Sequence, residues 1–301
     1  MKLSFTKMHG AGNDFVVLDE TRQLYGLTPS QYRWLADRHM GVGADQILSV
    51  RQAKSPDADF AYVIHNADGN EVEHCGNGAR CFVRFVREQG LSAQSSLRVE
   101  VKKGLIVLEE IADHQVRVNM GPPQFNLASL PFNSQGLSAQ AMGAWEAWTL
   151  DGTPPQHCAA VGVVSMGNPH AVQCVDDVSE FAVSQLGPWV ESHPRFPAHV
   201  NAGFMQVVTR DRIHLRVYER GAGETLACGT GACAAVVCGI RWGLLNPSVE
   251  VLTRGGTLRI EWTGQLQDPV YMNGPAVTVF RGEVEVPDEP TAHNVLHVQN
   301  L

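Results

Sequence analysis

Two cysteines stand at matching places in two glycine-rich motifs, Cys75-Gly-Asn-Gly-Ala and Cys228-Gly-Thr-Gly-Ala. A helix-forming run follows each motif, so each cysteine is expected directly before a helix. The unpaired amides of a helix's first turn and the positive end of its dipole attract anions. The same field lowers the pKa of a thiol from its free value of about 8.5 toward neutrality. Each motif therefore predicts a reactive thiol beside a turn that can bind a carboxylate.

These motifs belong to a longer internal repeat. Gly12-Asn13-Asp14-Phe15 corresponds to Gly167-Asn168-Pro169-His170. The asparagine precedes the motif cysteine by 62 residues in the first half and by 60 in the second, and Gln46 and Asn201 each lie 33 residues after it. Three landmarks in register predict a duplicated unit, each copy a mixed sheet around one helix. Two facing copies would place a thiol on either side of one bound carboxylate, as stereoinversion at an acidic carbon requires.

Short strands dominate the remaining pattern. Alternating apolar and polar residues predict half-buried strands, and continuous apolar runs predict fully buried ones. The alternating segments are 97–101, 115–120, 212–218 and 257–262, and the continuous ones are 15–18, 60–64 and 161–164.

Fewer segments have helical signals. Thr28 is a predicted N-cap, followed by Pro29 in the first turn, with Gln31 placed to complete a capping box. That helix is expected to run to about His39. The run 231–240 is apolar on every face, which predicts a helix buried inside its sheet. The other expected helices are from Cys75 to Gly90, from Cys228 to Gly243, and within 178–191.

Two segments are expected to have little regular structure. Residues 121–140 are rich in Pro, Asn, Ser and Gln, which is typical of a linker between the halves. The tail after Gly282 contains Pro287-Asp-Glu-Pro290 and is expected to be an extension with little structure of its own.

The composition excludes several classes of protein. The 301 residues include 23 Lys+Arg and 31 Asp+Glu, for a net charge of −8 and no basic run, so nucleic acid and anionic membranes are not expected partners. No apolar stretch approaches the roughly 20 residues of a spanning helix, and two lysines within 1–7 predict no signal peptide. Seven cysteines, an odd number, fit reduced thiols better than a disulfide scaffold. We therefore expect a cytoplasmic protein.

Lysine positions and missing motifs predict chemistry without a cofactor. Nothing beyond position 103 could form a Schiff base with pyridoxal phosphate, and the sequence contains no GxxxxGK[ST] or GxGxxG motif. The lysines are Lys2, Lys7, Lys54, Lys102 and Lys103.

Cysteine spacing does not predict a metal site. Cys228, Cys233 and Cys238 are five residues apart, and each step turns about 140° around a helix, so the sulfurs point in different directions. His74 and Cys75 have no partners at zinc-ligand spacing. We expect no metal. The remaining cysteines, namely Cys81, Cys158, Cys174, Cys233 and Cys238, are interpreted as small buried apolar residues.

Taken in order, the motifs resemble the diaminopimelate epimerase family, whose members act without pyridoxal phosphate in lysine and peptidoglycan precursor synthesis. The resemblance covers nearly the whole chain up to about Gly282. The matching segments are Met8–Phe15, Gly43–Gln46, Asn66–Gly69, Cys75–Arg80, Gly167–His170, Asn201–Phe204, Tyr218–Gly221 and Ala227–Cys233.

The resemblance implies an α+β fold of two pseudo-symmetric duplicated domains, each a mixed, mostly antiparallel β-sheet or barrel wrapped around a central helix. It also implies that the last strand returns to the first domain. The first domain is then 1–120 plus 275–301 and carries Cys75, and the second is 121–274 and carries Cys228.

The resemblance further implies a reaction and its residues. The reaction is epimerisation of the small-molecule substrate LL-2,6-diaminopimelate to the meso isomer, with Cys75 and Cys228 as a thiolate and thiol acid/base pair. His170 and Glu219 would tune the thiols. The residues implied to bind the substrate are Asn13, Gln46, Asn66, Gly76, Asn77, Asn168, Asn201, Glu219, Arg220, Gly229 and Thr230.

Simpler interpretations exist for individual residues. Asparagines also suit turns, Glu219 and Arg220 could form a solvated pair, and His170 could be structural. An alternative function is a proline racemase-like enzyme of the same fold, although those usually carry His where this chain has Asn77. From a different class, facing thiols could form a redox module.

The chain departs from the family pattern at three positions. His74 replaces an apolar residue before Cys75, and Asn70 replaces a common Ser. Phe280 stands where members often have Tyr, a residue linked to dimer contacts. A homodimer is the expected assembly.

Overall fold

The computed structural model describes residues 1–72, 76–102, 104–111, 115–152 and 158–290. The chain forms two compact units. The first contains residues 1–10, 14–108 and the chain from Ala276 onward, and the second contains residues 11–13 and 109–275.

The described chain consists mainly of strands, with a few short helices between groups of them. Up to residue 110 the elements are β1 (Lys2–Gly10), β2 (Asn13–Glu20), α1 (Pro29–Ala36), β3 (Gln46–Arg51), β4 (Phe60–Asn66), β5 (Glu71–Val72), α2 (Gly76–Glu88), β6 (Ser96–Val101) and β7 (Gly104–Glu110). They continue with β8 (Gln115–Asn119), β9 (Ala139–Met142), β10 (Trp145–Asp151), β11 (Cys158–Ser165), β12 (Pro169–Cys174), α3 (Val183–Glu191), β13 (Asn201–Thr209), β14 (Arg212–Glu219) and β15 (Gly223–Glu224). The last are α4 (Gly229–Arg241), β16 (Ser248–Thr253), β17 (Gly256–Glu261), β18 (Tyr271–Pro275) and β19 (Val277–Glu285).

The strands of the first unit pair in both parallel and antiparallel directions. β1 pairs with β2 and, antiparallel, with β19. β2 then runs parallel to β3, and β3 antiparallel to β4. β4 pairs with β5 antiparallel and with β6 parallel.

The second unit repeats this topology. β11 is antiparallel to β12, β12 parallel to β13, and β13 antiparallel to β14. β14 pairs with β15 antiparallel and with β16 parallel. The register is also repeated, because Phe15 lies opposite Gln46 and His170 lies opposite Asn201. The duplicated fold that the spacing predicts is confirmed.

Helix α4 lies in the core of the second unit. Every residue of the run 231–239 is buried, and the helix packs against β11, β12, β13, β14, β17 and β18. This confirms the prediction of an apolar helix inside its sheet, since burying every face is how such a helix removes its side chains from water. Among the described residues, no helix combines the length and the apolar character needed to cross a bilayer.

Helix α1 is shorter than predicted. α1 ends at Ala36 and does not reach His39, because the Asp37 carboxylate accepts the amides of His39 and Met40 at 2.8 Å in a turn that ends the helix. α3 (Val183–Glu191) lies within the predicted range 178–191 and begins at Val183. The residues before it form a turn in which Asp177 accepts the amide of Ser179 at 2.8 Å.

The prediction of an unstructured linker is partly wrong. Within residues 121–140, Leu127–Ser129 form a 3₁₀ turn and β9 begins at Ala139. Leu130 and Phe132 are buried in the core of the second unit, where Phe132 packs edge-on against Trp148 at 5.7 Å. These apolar side chains explain the order, since their burial removes apolar surface from water.

Regular structure also extends further into the tail than the predicted limit at Gly282. β19 continues to Glu285, and the following Val286 is buried with its amide donating to the Met1 carbonyl at 2.7 Å.

The capping box at α1 predicts a measurable stability effect. The Thr28 hydroxyl accepts the Gln31 amide at 3.3 Å, and the Gln31 side chain accepts the Thr28 amide at 3.0 Å. Thr28→Ala should lower the free energy of unfolding by about 1 kcal/mol, measured by urea denaturation. Thr28→Ser keeps the acceptor and should behave like the parent chain. Equal stability of the Ala and Ser variants would mean that the cap does not support α1.

Candidate active site

Cys228 lies at the N-cap of α4. Its backbone is extended, with φ −120° and ψ 110°, and the residue is only 4% exposed. The sulfur is 3.5 Å from the hydroxyl of Thr230. The predicted placement of this thiol at a helix N-terminus is therefore what the structure shows.

The predicted direction of the Cys228 pKa is wrong. Burial raises the pKa of Cys228 well above its ordinary value, and the carboxylate of Glu219 raises it further. Thr230 and Gly231 act in the opposite direction, but they do not outweigh the lost hydration and the neighbouring anion. In this geometry Cys228 holds its proton at neutral pH.

Glu219 is the last residue of β14 and Arg220 follows it, and the two side chains bind different partners. The Glu219 carboxylate accepts the Thr225 hydroxyl at 2.5 Å, and its charge raises the pKa of the neighbouring Cys228 thiol. Arg220 donates from its guanidinium to the Ala198 carbonyl at 3.1 Å. The two residues therefore do not form the solvated pair that was the simpler interpretation.

His170 is fully buried at the start of β12. Its Nε2 lies 3.0 Å from the side-chain oxygen of Asn168. Burial, and then the charge of Arg220, lower the pKa of His170 to about 3. The imidazole is therefore neutral at physiological pH, and among the described residues no group hydrogen-bonds its Nδ1.

Asn201 connects neighbouring segments of the second unit. Its side-chain nitrogen donates to the Pro169 carbonyl at 2.9 Å, and its side-chain oxygen accepts the backbone amide of Arg220 at 3.0 Å. Both ends of the amide are used, so the side chain has one fixed orientation. This bond network draws His170, Asn201 and Arg220 into one neighbourhood.

In the first unit Gln46 and Asn66 face each other across β3 and β4. The Gln46 side-chain nitrogen donates to the Asn66 side-chain oxygen at 2.7 Å. The Gln46 oxygen is buried, and within the described ranges it has no hydrogen-bond partner. The structure thus brings together two of the residues predicted to bind the substrate.

The first turn of α2 carries Gly76 and Asn77, both buried. The guanidinium of Arg80, itself fully buried, donates to the Asn77 side chain at 3.0 Å. The preceding Cys75 lies outside the described residues, as does His74.

An ionic cluster braces the residues next to Asn13 and Gln46. Arg38 donates to Asp14 at 2.8 and 2.9 Å and to Asp45 at 2.8 Å, and Lys7 bonds Asp14 at 2.6 Å. Burial raises the pKa of Asp14, but the bonds from Arg38 and Lys7 outweigh it and hold that pKa well below its usual range. Asp14 follows one predicted substrate-binding residue and Asp45 precedes the other, so the cluster fixes the backbone at both.

The other described cysteines match their interpretation as apolar residues. Cys81, Cys233 and Cys238 are fully buried. Cys174 is half-buried in β12, and burial raises its pKa to about 11. Across the described ranges, no group of three or more His, Cys, Asp or Glu side chains is placed to hold a metal ion.

Sequence reasoning missed Thr225 and Arg80. Thr225 lacks a sequence signal, because only the hairpin after β14 brings it to Glu219. Arg80 had a signal, since an arginine in the otherwise apolar run 79–83 requires a buried polar partner.

The neutral, buried His170 predicts acid sensitivity. The unfolded chain protonates this imidazole near pH 6.5, but the folded chain does so only at about 3. Stability should therefore fall as pH drops below 6.5, by about 1.4 kcal/mol per unit from this residue. His170→Gln should give a shallower decline in urea unfolding free energy between pH 6.5 and 4.5. The exposed His39→Gln serves as the matched control, and parallel slopes for all three proteins would contradict the assignment.

Known proteins match this chain over most of its length. The family model described as diaminopimelate epimerase matches residues 5–126 and 162–279. The diaminopimelate epimerase of Acidovorax ebreus (strain TPSY) is 61% identical over 290 residues, covering 96% of this chain and 99% of that protein. The diaminopimelate epimerase of Variovorax paradoxus (strain S110) is 60% identical over 295 residues, covering 96% of this chain and 100% of that protein.

Solved structures of other enzymes share the fold at low identity. A hydroxyproline epimerase from Agrobacterium vitis superposes with a TM-score of 0.65 at 15% identity, covering 94% of this chain and 92% of that one. A phenazine biosynthesis protein of the PhzF family from Bacillus anthracis superposes with a TM-score of 0.64 at 16% identity. The match covers 95% of this chain and 100% of that one. At such identities the likeness shows the fold alone, so the proline racemase-like alternative has only distant support. The family match and the relatives at about 60% identity establish that this chain belongs to the diaminopimelate epimerase family.

Proposed function

We propose that this chain interconverts LL- and meso-2,6-diaminopimelate by moving a proton at one α-carbon, without a cofactor. One observation carries the proposal: a buried thiol, Cys228, caps the N-terminus of α4 in a chain that is 61% identical to a named diaminopimelate epimerase. A thiol in that place can exchange a proton with a carbon whose carboxylate binds the helix amides.

The proposed chemistry uses two sulfurs. The Cys75 thiolate removes the α-proton from one face, the electron pair stays on the α-carbon, and Cys228 delivers its proton to the opposite face. Cys75 ends as the thiol and Cys228 as the thiolate, so protons and charge balance. The reverse reaction exchanges the roles. The raised pKa of Cys228 supports its assignment as the acid in the first direction.

Backbone amides would stabilise the charge that develops when the proton leaves. The donors proposed are the first amides of the two helices, at Gly76 and Asn77 and at Gly229 and Thr230. Such donors are fixed before the reaction begins, so they need no reorganisation when the carboxylate gains charge. This is the main electrostatic contribution that we assign to the fold.

Polar side chains would hold the rest of the substrate. The planar guanidinium of Arg220 suits a carboxylate, and Glu219 suits an ammonium group. The neutral imidazole of His170 and the carboxylate of Glu219 would also set the protonation of the thiols. The remaining substrate contacts proposed are Asn13, Gln46, Asn66, Asn168 and Asn201.

We also infer a homodimer. β19 exposes Val279 (55%) and Phe280 (48%), and Phe280 stacks edge-on against Phe5 at 5.8 Å. The family resemblance links the position of Phe280 to dimer contacts, and exposed apolar side chains on one strand are typical of an interface.

Deuterium exchange tests the reaction directly. Reduced protein in D₂O should place deuterium on the α-carbon of diaminopimelate as it inverts, measured by NMR or mass spectrometry, with no cofactor added. Cys75→Ala and Cys228→Ala should each lower turnover by about 10²-fold or more, because each removes one proton carrier. Cys174→Ala is the matched control and should stay active.

Three outcomes would contradict the proposal. Near-normal turnover by either single active-site variant would reject the two-thiol scheme. Activity on proline without exchange in diaminopimelate would favour the proline racemase-like alternative. Thiol–disulfide exchange activity without either would favour the redox module.

Introducing a charge at Phe280 tests whether this residue lies in the proposed dimer interface. Phe280→Asp should convert a dimer into a monomer, because a carboxylate cannot be buried in an apolar contact without a partner. Size-exclusion chromatography with light scattering measures the mass. Leu24→Asp, at an exposed apolar residue elsewhere in the first unit, should leave the dimer intact. A Phe280→Asp protein of unchanged mass would place the interface elsewhere.

A further inference from the structure

The hairpin after β14 contains a hydroxyl that the proposed reaction does not use. Thr225 donates to the carboxylate of Glu219 at 2.5 Å, and that carboxylate lies close enough to the Cys228 thiol to raise its pKa. We propose that Thr225 is a positioning residue that keeps the Glu219 carboxylate against the Cys228 thiol.

The backbone that presents Thr225 is fixed. Its amide donates to the Val217 carbonyl at 3.3 Å, which ties it to β14. The preceding Glu224 accepts two bonds from Arg216, at 2.7 and 2.9 Å, and lies 3.1 Å from Arg254. Two charge-assisted contacts on the adjacent residue hold the strand in place, so the hydroxyl reaches Glu219 from a rigid support.

The position of the carboxylate controls the protonation of the thiol. Glu219 lies beside Cys228, whereas the guanidinium of Arg220 is bonded to the Ala198 carbonyl and the imidazole of His170 is uncharged. A carboxylate held against a thiol favours the protonated form. A carboxylate that turns toward water has a weaker effect, because solvent screens its charge.

Thr225 would therefore keep Cys228 supplied with its proton. The inference rests on the proposed function for the use of that proton in catalysis. The link from Thr225 through Glu219 to the thiol can be measured without any substrate.

The experiment follows the reactivity of Cys228 across a pH series. Reduced full-length protein reacts with methyl methanethiosulfonate, and mass spectrometry of the Cys228 peptide gives the pH midpoint of its modification. Glu219→Gln should lower the midpoint by about one unit or more, since it removes the nearby charge. Thr225→Val should lower it by a smaller amount, and Thr225→Ser, which keeps the hydroxyl, should restore the parent midpoint.

A double variant separates positioning from a general structural role. If Thr225 acts through Glu219, the Glu219→Gln/Thr225→Val protein should have the same midpoint as Glu219→Gln alone. Thr253→Val is the matched control, because it removes another hydroxyl of the same unit, one bonded to the Gly256 carbonyl at 2.7 Å. Its Cys228 midpoint should equal that of the parent chain.

Several results would overturn the inference: an unchanged or higher midpoint in Thr225→Val, an added shift in the double variant, or a Thr225→Ser shift as large as that of Thr225→Val. Thr225→Ala replaces the valine variant if thermal melting shows that it does not fold. With diaminopimelate, Thr225→Val should lower kcat more than it changes KM. A midpoint shift in a chain that never turns over diaminopimelate would preserve the positioning role and reject the proposed function.

Discussion

A buried thiol at a helix N-terminus is subject to two opposing effects, and the site depends on their balance. The first turn of α4 presents donors that favour a thiolate on Cys228. Burial and the Glu219 carboxylate favour the thiol, and they prevail. The helix supplies this burial itself, since α4 has no polar face and lies within its sheet. The same packing that stabilises the second unit therefore sets the protonation of its reactive group.

Duplication of topology has not preserved the chemistry of the two units. Equivalent positions pair in the same register, yet Gln46 bonds a side chain across the sheet, whereas Asn201 bonds the backbone. The first turn of α2 lies beside the buried guanidinium of Arg80, but the equivalent helix position in α4 is the apolar Cys233. In the second unit the Glu219 carboxylate lies near Cys228, and the neutral imidazole of His170 is buried at the start of β12. The two units therefore share a topology but differ in the side chains that surround equivalent positions.

The sequence predicted what depends on local pattern and spacing. Helix starts at Pro29, Gly76 and Gly229 follow from capping and glycine signals, and the duplicated fold follows from repeated landmarks. The pKa direction of Cys228 did not follow, because burial and the approach of Glu219 are tertiary. The early end of α1 depends on one Asp37 side chain that competes with the helix for amides.

The surroundings of the Cys228 thiol have a consequence for turnover under the proposed reaction. An inversion in which Cys75 is the base leaves the negative charge on Cys228, where burial and the Glu219 carboxylate both oppose a thiolate. The free enzyme is then displaced from its stable protonation state until a proton returns to Cys228. A reverse turnover restores that proton directly, whereas successive forward turnovers need exchange with solvent or with a neighbouring group. Because His170 is neutral and fully buried, it is poorly suited to deliver a proton from water. Under the proposed reaction, the proton is therefore expected to return to Cys228 from solvent or through the Glu219 carboxylate.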